Sequence, residues 1–292
     1  MRSKLALRVC ALLFATLAIA HAEPLRVLGS STVAQAVIPA TEEILKDTGA
    51  DLAFETSVGS NFAINAVSNG RVDLAMSTRA VTSEDRSANP AFSLFDIEIG
   101  VQVIVPIVSQ ATWQAGLRSV SKDDLIKLYE GALPTWEKAG GPALRAVFLN
   151  PSDGRGVWEP FVTWLYGDLH RVGPGRRWKT VRTNEEARDL VASTPGALSV
   201  VPPKWADGQR VIALPIRDEK GALIEPTEQN FRARKWPVPL VRPLMLIAGT
   251  KPSGPLRKMI EFMVSAKGQA FVEAADFLPR PEAAEEMAAR FR

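Results

Sequence analysis

One cysteine and two histidines are the only thiol and imidazole groups in this 292-residue chain. Cys10 and His21 both fall within the first 22 residues, which leaves His170 alone beyond them. A zinc site needs several such ligands converging, so none is expected, and neither a disulfide nor thiol chemistry is available after residue 22. A Ser-His-Asp arrangement would have to use His170, and no Gly-x-Ser-x-Gly elbow accompanies a matching strand. The Gly-Lys-Ser/Thr core of a phosphate-binding loop for nucleotides is also missing. These absences argue against an enzyme and against a metal or other cofactor. An excess of positive charge is lacking too. Lys and Arg number 35 against 32 acids, and Arg2, Lys4 and Arg8 account for the whole surplus. A nucleic-acid binder needs a basic face, so that partner class is not expected.

Long apolar runs are scarce. The one at 9–20 follows the cationic start and ends in Ala20-His21-Ala22, a small-x-small site before Glu23-Pro24. This pattern reads as a cleavable secretory signal peptide over 1–22, too short in its apolar part to span a bilayer. Cys10 sits too early in that run to serve as a lipid-modified residue, so the expected product is soluble and periplasmic, working without ATP. No later run has spanning length: 97–108 is interrupted by Glu98, Gln102 and Pro106, and 240–248 is short. The remainder is long enough for two lobes.

The chain alternates strands and helices. Residues 25–28 read as a buried strand ended by Gly29, followed by Ser30-Ser31-Thr32 and a helical stretch at 33–46 in which Pro39 is a flaw. A strand at 51–56 leads through Val58-Gly59-Ser60-Asn61 to a helix at 62–68, and a strand at 72–76 runs into Ser77-Thr78-Arg79. Three strands thus end in hydroxyl-bearing segments. Strand–helix alternation predicts parallel pairing, with ligand sites at the strands' carboxyl ends, where helix amino termini favour anions. Further on, 97–108 reads as one strand crossing between lobes. Ser121 caps a helix at 121–129, a strand at 146–149 precedes the turn at 150–156, and the following helix, 157–166, is expected to be interrupted near Pro160. A helix at 184–192, strands at 197–201 and 240–248, a polar surface excursion at 218–235 and three closing helices complete the reading. Arg176-Arg177-Trp178-Lys179 reads as a solvated face or a cleft rim that attracts anions, and His170 as a surface or packing residue.

In this order the segments resemble the periplasmic phosphate-binding proteins, the solute receptors of Pst-type ABC transporters. The likeness is carried by Gly29-Ser30-Ser31-Thr32-Val33, by Val58-Gly59-Ser60, and by 69–77 (NGRVDLAMS). It continues through LIKLYEGALPTW at 125–136, ASTPGAL at 192–198, Arg242-Pro243-Leu244 and 262–271. The resemblance implies an α/β, two-lobed periplasmic binding protein fold (type II, Venus-flytrap), each lobe a mixed sheet flanked by helices. Lobe one would be 24–103 plus 241–292 and lobe two 104–240, closing about a hinge on one ligand. The implied partners are phosphate or a related small anion and an inner-membrane ABC permease, with the protein monomeric.

Carried over by residue, the resemblance assigns ligand binding to Ser31, Thr32, Ser60, Thr78 and Arg79 in lobe one and to Gly154, Arg155 and Gly156 in lobe two. Two departures matter. Thr78 stands where some members have an aspartate, so a charge that would repel a fully ionised anion is missing and discrimination should fall. Pro151 and Gly154-Arg155-Gly156-Val157 stand where the family often has an Arg ahead of Gly-Ser-Gly-Thr. Arg79 and Arg155 could each offer a fork to an oxyanion, and each has an ordinary alternative: a salt bridge or solvated charge for Arg79, pairing with Asp153 for Arg155. The ligand therefore stays open between orthophosphate, another oxyanion and a larger phosphorylated or carboxylated solute. A sensory or adaptor protein that shows its closed form to a membrane sensor is the alternative function.

Overall fold

The computed structural model describes residues 23–56, 58–152, 156–168 and 178–292. The signal-peptide reading of 1–22 and the expectations for Gly154, Arg155, His170 and Arg176-Arg177 lie outside the described residues.

The strands are β1 (Leu25–Gly29), β2 (Leu52–Glu55), β3 (Leu74–Ser77), β4 (Phe95–Val103), β5 (Val105–Ser109), β6 (Val120–Ser121), β7 (Val147–Pro151), β8 (Lys179–Val181), β9 (Ala197–Val201), β10 (Val211–Ala213), β11 (Ile216–Arg217), β12 (Leu223–Ile224), β13 (Val241–Ala248) and β14 (Leu278–Pro279). The helices are α1 (Ser31–Val37), α2 (Thr41–Thr48), α3 (Ser60–Ser68), α4 (Ser83–Ala88), α5 (Gln110–Gln114), α6 (Lys122–Tyr129), α7 (Trp158–Tyr166), α8 (Asn184–Ser193), α9 (Glu228–Arg232), α10 (Gly254–Val264), α11 (Ala266–Ala274) and α12 (Ala283–Phe291).

Two principal sheets form. The first has six strands in the order β14-β4-β13-β3-β1-β2, and the second has five in the order β10-β5-β9-β7-β8. In the first, β1 pairs in parallel with both β2 and β3, as the alternation predicted. The long strand β13 then runs antiparallel to β3 on one side and β4 on the other. The second sheet is mixed in the same way, with β7 parallel to β8 and β9, and β5 antiparallel to β9 and β10. A small three-stranded sheet, β12-β11-β6, stands beside it. The first sheet packs Val27, Leu74, Ile97 and Leu246 against α1, α2 and α10 through Val33, Ile44 and Met259. The second buries Ile107, Phe148 and Leu198 with Leu125, Trp136 and Phe161.

Local chemistry explains most boundaries. Ser121 caps α6 with its hydroxyl on the Asp124 N–H (3.1 Å), while the Asp124 carboxylate takes the Ser121 N–H (2.9 Å). Pro39 does break the first helical stretch: α1 stops at Val37, a single 3-10 turn spans Ile38–Ala40, and α2 restarts at Thr41. Pro160 does not break α7. It lies in the first turn, where a missing N–H removes no intrahelical bond, so the expected interruption is absent. Two segments that carried the resemblance meet in the second core. Trp136, fully buried, donates its Nε1–H to the Gly196 carbonyl (2.8 Å). Gly196 itself has φ +77°, and a Cβ there would lie 2.2 Å from the Arg145 carbonyl oxygen, so only glycine fits.

The expected single strand at 97–108 is in fact two, β4 and β5, which belong to different sheets and are separated by Ile104. That residue is pinned from the returning chain. Its N–H donates to Leu240 O (2.9 Å) and its carbonyl accepts from Trp236 Nε1 (2.9 Å). Both passages between the sheets are therefore hydrogen-bonded to each other at one point. Among the described residues no helix is long and apolar enough to cross a membrane.

Candidate functional site

The parallel strands β1 and β3 end side by side, and their tips are joined. Ser30 N–H donates to the Met76 carbonyl (2.9 Å). Gly29, with φ +134°, permits that approach, since a Cβ there would sit 2.1 Å from Met76 O. Ser30 then caps α1, its hydroxyl accepting the Thr32 N–H (3.2 Å). Ser31 is exposed on the first turn, sharing a helix face with Gln35 one turn on, while Thr32 is buried.

The second hydroxyl group sits beyond β3. Ser60 opens α3, and its Oγ accepts the Thr78 N–H (3.0 Å) and lies 3.4 Å from Thr78 Oγ1. That oxygen accepts an amide proton, and its own proton can turn to Thr78 Oγ1 or outward. The first N–H groups of α3 have no intrahelical acceptor and add positive potential at the same tip. Thus two hydroxyl groups, Ser31/Thr32 and Ser60/Thr78, stand on neighbouring junctions of one sheet, at the point where the connection leaving β1 runs to β2 on one side and the connection leaving β3 runs to β4 on the other.

Arg79, next to this tip, is held by partners from the protein itself. Its guanidinium forks onto Asp85, with Nη1–Oδ2 at 2.6 Å and Nη2–Oδ1 at 3.0 Å, while Nε donates to Asn61 Oδ1 (2.6 Å) and Nη1 to the Ala80 carbonyl (3.0 Å). Asp85 also takes the N–H and hydroxyl of Thr82. The Arg79 fork holds the Asp85 carboxyl far below the usual carboxylate range, burial opposing it. The fork that sequence reasoning offered to a ligand is therefore spent on a carboxylate six residues along, within the same sheet's loop.

A cleft of about 330 Å³ lies between the two sheets. Gln35 and residues 275–277 line it from the first sheet's elements, and Gly156, Val157, Asn184 and Pro202 from the second's. Gly156 is at its wall: its carbonyl accepts from Gln102 Nε2 (3.0 Å), and a Cβ on it would lie 3.4 Å from that nitrogen and 3.5 Å from Gln35 Nε2. On either side of the loop that leads to Gly156, Asn150 Oδ1 and Trp158 Nε1 are buried without a hydrogen-bond partner among the described residues. The cleft is bridged at Asp276, which has φ +68°. Its carboxylate accepts from Asn184 Nδ2 (2.9 Å) and Trp205 Nε1 (2.7 Å) and pairs with Lys204. A larger cavity, about 590 Å³, is lined by Lys122, Trp164, Arg217 and neighbours on the second sheet's side alone.

Two polar residues of this region were not picked out from the sequence. Gln102 and Arg242 are register partners on β4 and β13. Arg242 Nε donates to Gln102 Oε1 (2.6 Å), and Arg242 Nη2 reaches Thr32 Oγ1 (3.4 Å). The Arg242 side chain is only 12% exposed, and its Nη1 lies 3.6 Å from Glu159 Oε1 on α7. Burial pushes this guanidinium below its ordinary pKa, against the opposing pull of Glu159. The only available signal was Arg242-Pro243-Leu244 in the resemblance, which marked a strand and not a side chain. Among the described residues no group of three or more His, Cys, Asp or Glu is placed to hold a metal.

The sequence matches the PBP superfamily domain over residues 18–273. It is 25% identical over 215 residues to the phosphate-binding protein PstS of Bacillus subtilis, covering 73% of this chain and 67% of that one. A possible phosphate-binding protein from Planctomyces limnophilus superposes with a TM-score of 0.76 at 18% identity, covering 91% of this chain and 96% of that one. An ABC-type phosphate transport receptor from Vibrio cholerae gives 0.66 at 18% identity, covering 88% and 100%. These structures share the two-lobed fold.

Proposed function

The chain belongs to the PBP superfamily, and from that premise we propose that it captures inorganic phosphate or a closely related oxyanion between its two lobes. It does so outside the cytoplasm, as a soluble monomer freed of residues 1–22, and it presents the closed form to an inner-membrane ABC permease. Its work is binding rather than catalysis. Lobe one comprises 24–103 plus 241–292, and lobe two 104–240.

The observation that carries this reading is the pair of hydroxyl groups at the adjoining tips of β1 and β3. Ser31, Thr32, Ser60 and Thr78 supply neutral donors, and the first amides of α3 supply a partial positive charge, which together suit a compact anion with several acceptor oxygens. Gly154, Arg155 and Gly156 are carried over as the lobe-two contribution assigned from the sequence, the two glycines for their lack of side-chain bulk and Arg155 for its guanidinium fork. Arg79 serves by holding the Thr78 loop against Asp85, not by touching the ligand. A thermodynamic condition goes with the proposal: the anion must bind the closed state more tightly than the open one, or a permease would have nothing to read.

Isothermal calorimetry on protein stripped of ligand by unfolding and refolding tests this, with phosphate, arsenate, sulfate and organic phosphates as titrants. The expected result is binding of phosphate and arsenate, with discrimination against sulfate weakened because Thr78 carries no charge. Failure of every oxyanion to bind would refute the capture reading and favour an adaptor that signals through the same fold.

A further inference from the structure

Arg242 is a buried cation whose countercharge is poorly matched to it. Its side chain is 12% exposed, whereas that of Glu159 is 56% exposed, and the nearest approach of the two is 3.6 Å. A guanidinium taken this far out of water needs a close, well-oriented anion, and a largely hydrated carboxylate at that range supplies little of what burial removes. The other neighbours are neutral acceptors, Gln102 Oε1 on Nε and Thr32 Oγ1 on Nη2. Among the described residues, the outer N–H groups of the fork, the part best shaped for an oxyanion, thus meet one carboxylate, Glu159, at 3.6 Å from Nη1, and one long contact to a neutral hydroxyl, Thr32 Oγ1, on Nη2.

The surroundings adjoin the cleft through Gln102 and Gly156, which both line it. Thr32 belongs to the hydroxyl tip of β1. Gln102 links Arg242 to Gly156 across the gap. Glu159 comes from the first turn of α7, three residues after Gly156. Arg242 and Gln102 stand on the two strands that lead between the sheets, so a ligand gripped there would touch the point about which the lobes move.

We propose that Arg242 is the principal cation of the anion site and that Glu159 is its internal stand-in, displaced when a small oxyanion with two adjacent acceptor oxygens enters. The assignment rests on the capture reading above. Glu159 then lowers affinity for every oxyanion alike, because each must evict the same carboxylate, and it keeps the buried guanidinium from being left bare when the cleft is empty.

The test is calorimetric titration of the ligand-stripped chain with inorganic phosphate and with sulfate, for the unsubstituted protein, Arg242→Gln and Glu159→Gln. Loss of a charge-assisted fork should weaken phosphate binding by about tenfold to a hundredfold in Arg242→Gln. Removing the competitor should tighten phosphate and sulfate together, by about threefold to tenfold, in Glu159→Gln. Circular dichroism checks that each variant is folded. If the unsubstituted protein binds neither anion, the capture reading falls and takes this assignment with it. If it binds phosphate and folded Arg242→Gln binds within twofold as well, the assignment alone is overturned. Should Arg242→Gln not fold, Glu159→Gln decides: tighter binding supports the stand-in role, and unchanged or weaker binding refutes it.

Discussion

Replacing Ser60 by alanine should separate two jobs performed by one oxygen. In the folded protein Ser60 Oγ accepts the Thr78 amide at 3.0 Å, and its own proton can turn to Thr78 Oγ1, 3.4 Å away, or to a ligand. Alanine orphans the half-buried Thr78 N–H, at a cost of about 1–2 kcal/mol. For a chain of this size each kcal/mol corresponds to about 2–4 °C, so the ligand-free protein should melt about 2–8 °C lower. The lost donor to a charged acceptor should cost a further ~1.5–3 kcal/mol in phosphate binding, about tenfold to 150-fold in Kd. Thr78→Val serves as the companion: it removes a hydroxyl but keeps the amide bonded to Ser60, so it should weaken binding while moving the ligand-free melt less. Differential scanning fluorimetry with and without phosphate reads both effects, since ligand at a hundred times Kd adds about 2.7 kcal/mol to the stability of a competent protein. If Ser60→Ala keeps the full phosphate-induced shift and an unchanged Kd, the hydroxyl does not touch the ligand and the site lies elsewhere.

Other perturbations have equally definite outcomes. Asp276→Ala removes the acceptor shared by Asn184, Trp205 and Lys204, so the ligand-free molecule should open, giving a larger radius of gyration in small-angle scattering and a loss of about 1–3 kcal/mol on urea unfolding. Gly29→Ala drives a Cβ against Met76 O at a φ of +134° and should cost about 3 kcal/mol or more, seen as a lowered urea midpoint or loss of folded protein. Asp85→Asn tests the ion pair through pH. The folded carboxyl titrates below its unfolded value of about 3.9, so its stabilisation is fully present above that pH and is lost as the pH falls toward the folded value. The variant should therefore be less stable by about 1 kcal/mol at pH 7, with the difference narrowing below about pH 4.

What could be read from the chain alone was whatever local chemistry decides. The tip after β1 is legible because Gly29, Ser30 and Thr32 are consecutive or nearly so, and a capping hydroxyl follows a strand directly. The Thr82–Asp85 box was equally local, and reading it would have shown that Asp85 stood ready to take the Arg79 fork. Short strands such as β8 and β10, three residues each, carry no periodicity to read and exist because neighbouring strands offer edges. Arg242 was beyond reach for a different reason. Its meaning depends on pairing with Gln102, 140 residues earlier, and on Glu159 arriving from the other sheet. Pro160 misled because the rule against helix proline depends on knowing where the helix begins.

The position of β13 has a consequence for how the molecule is assembled. This strand is an inner rung of the first sheet, between β4 and β3, yet in chain order it comes only after every strand of the second sheet. A chain emerging from its amino end can close the inserted half on its own hydrophobic interior while the half that started first still waits with a missing rung. The part begun earliest is thus finished last, and a polypeptide halted before Val241 would leave β3 and β4 without the partner that joins them.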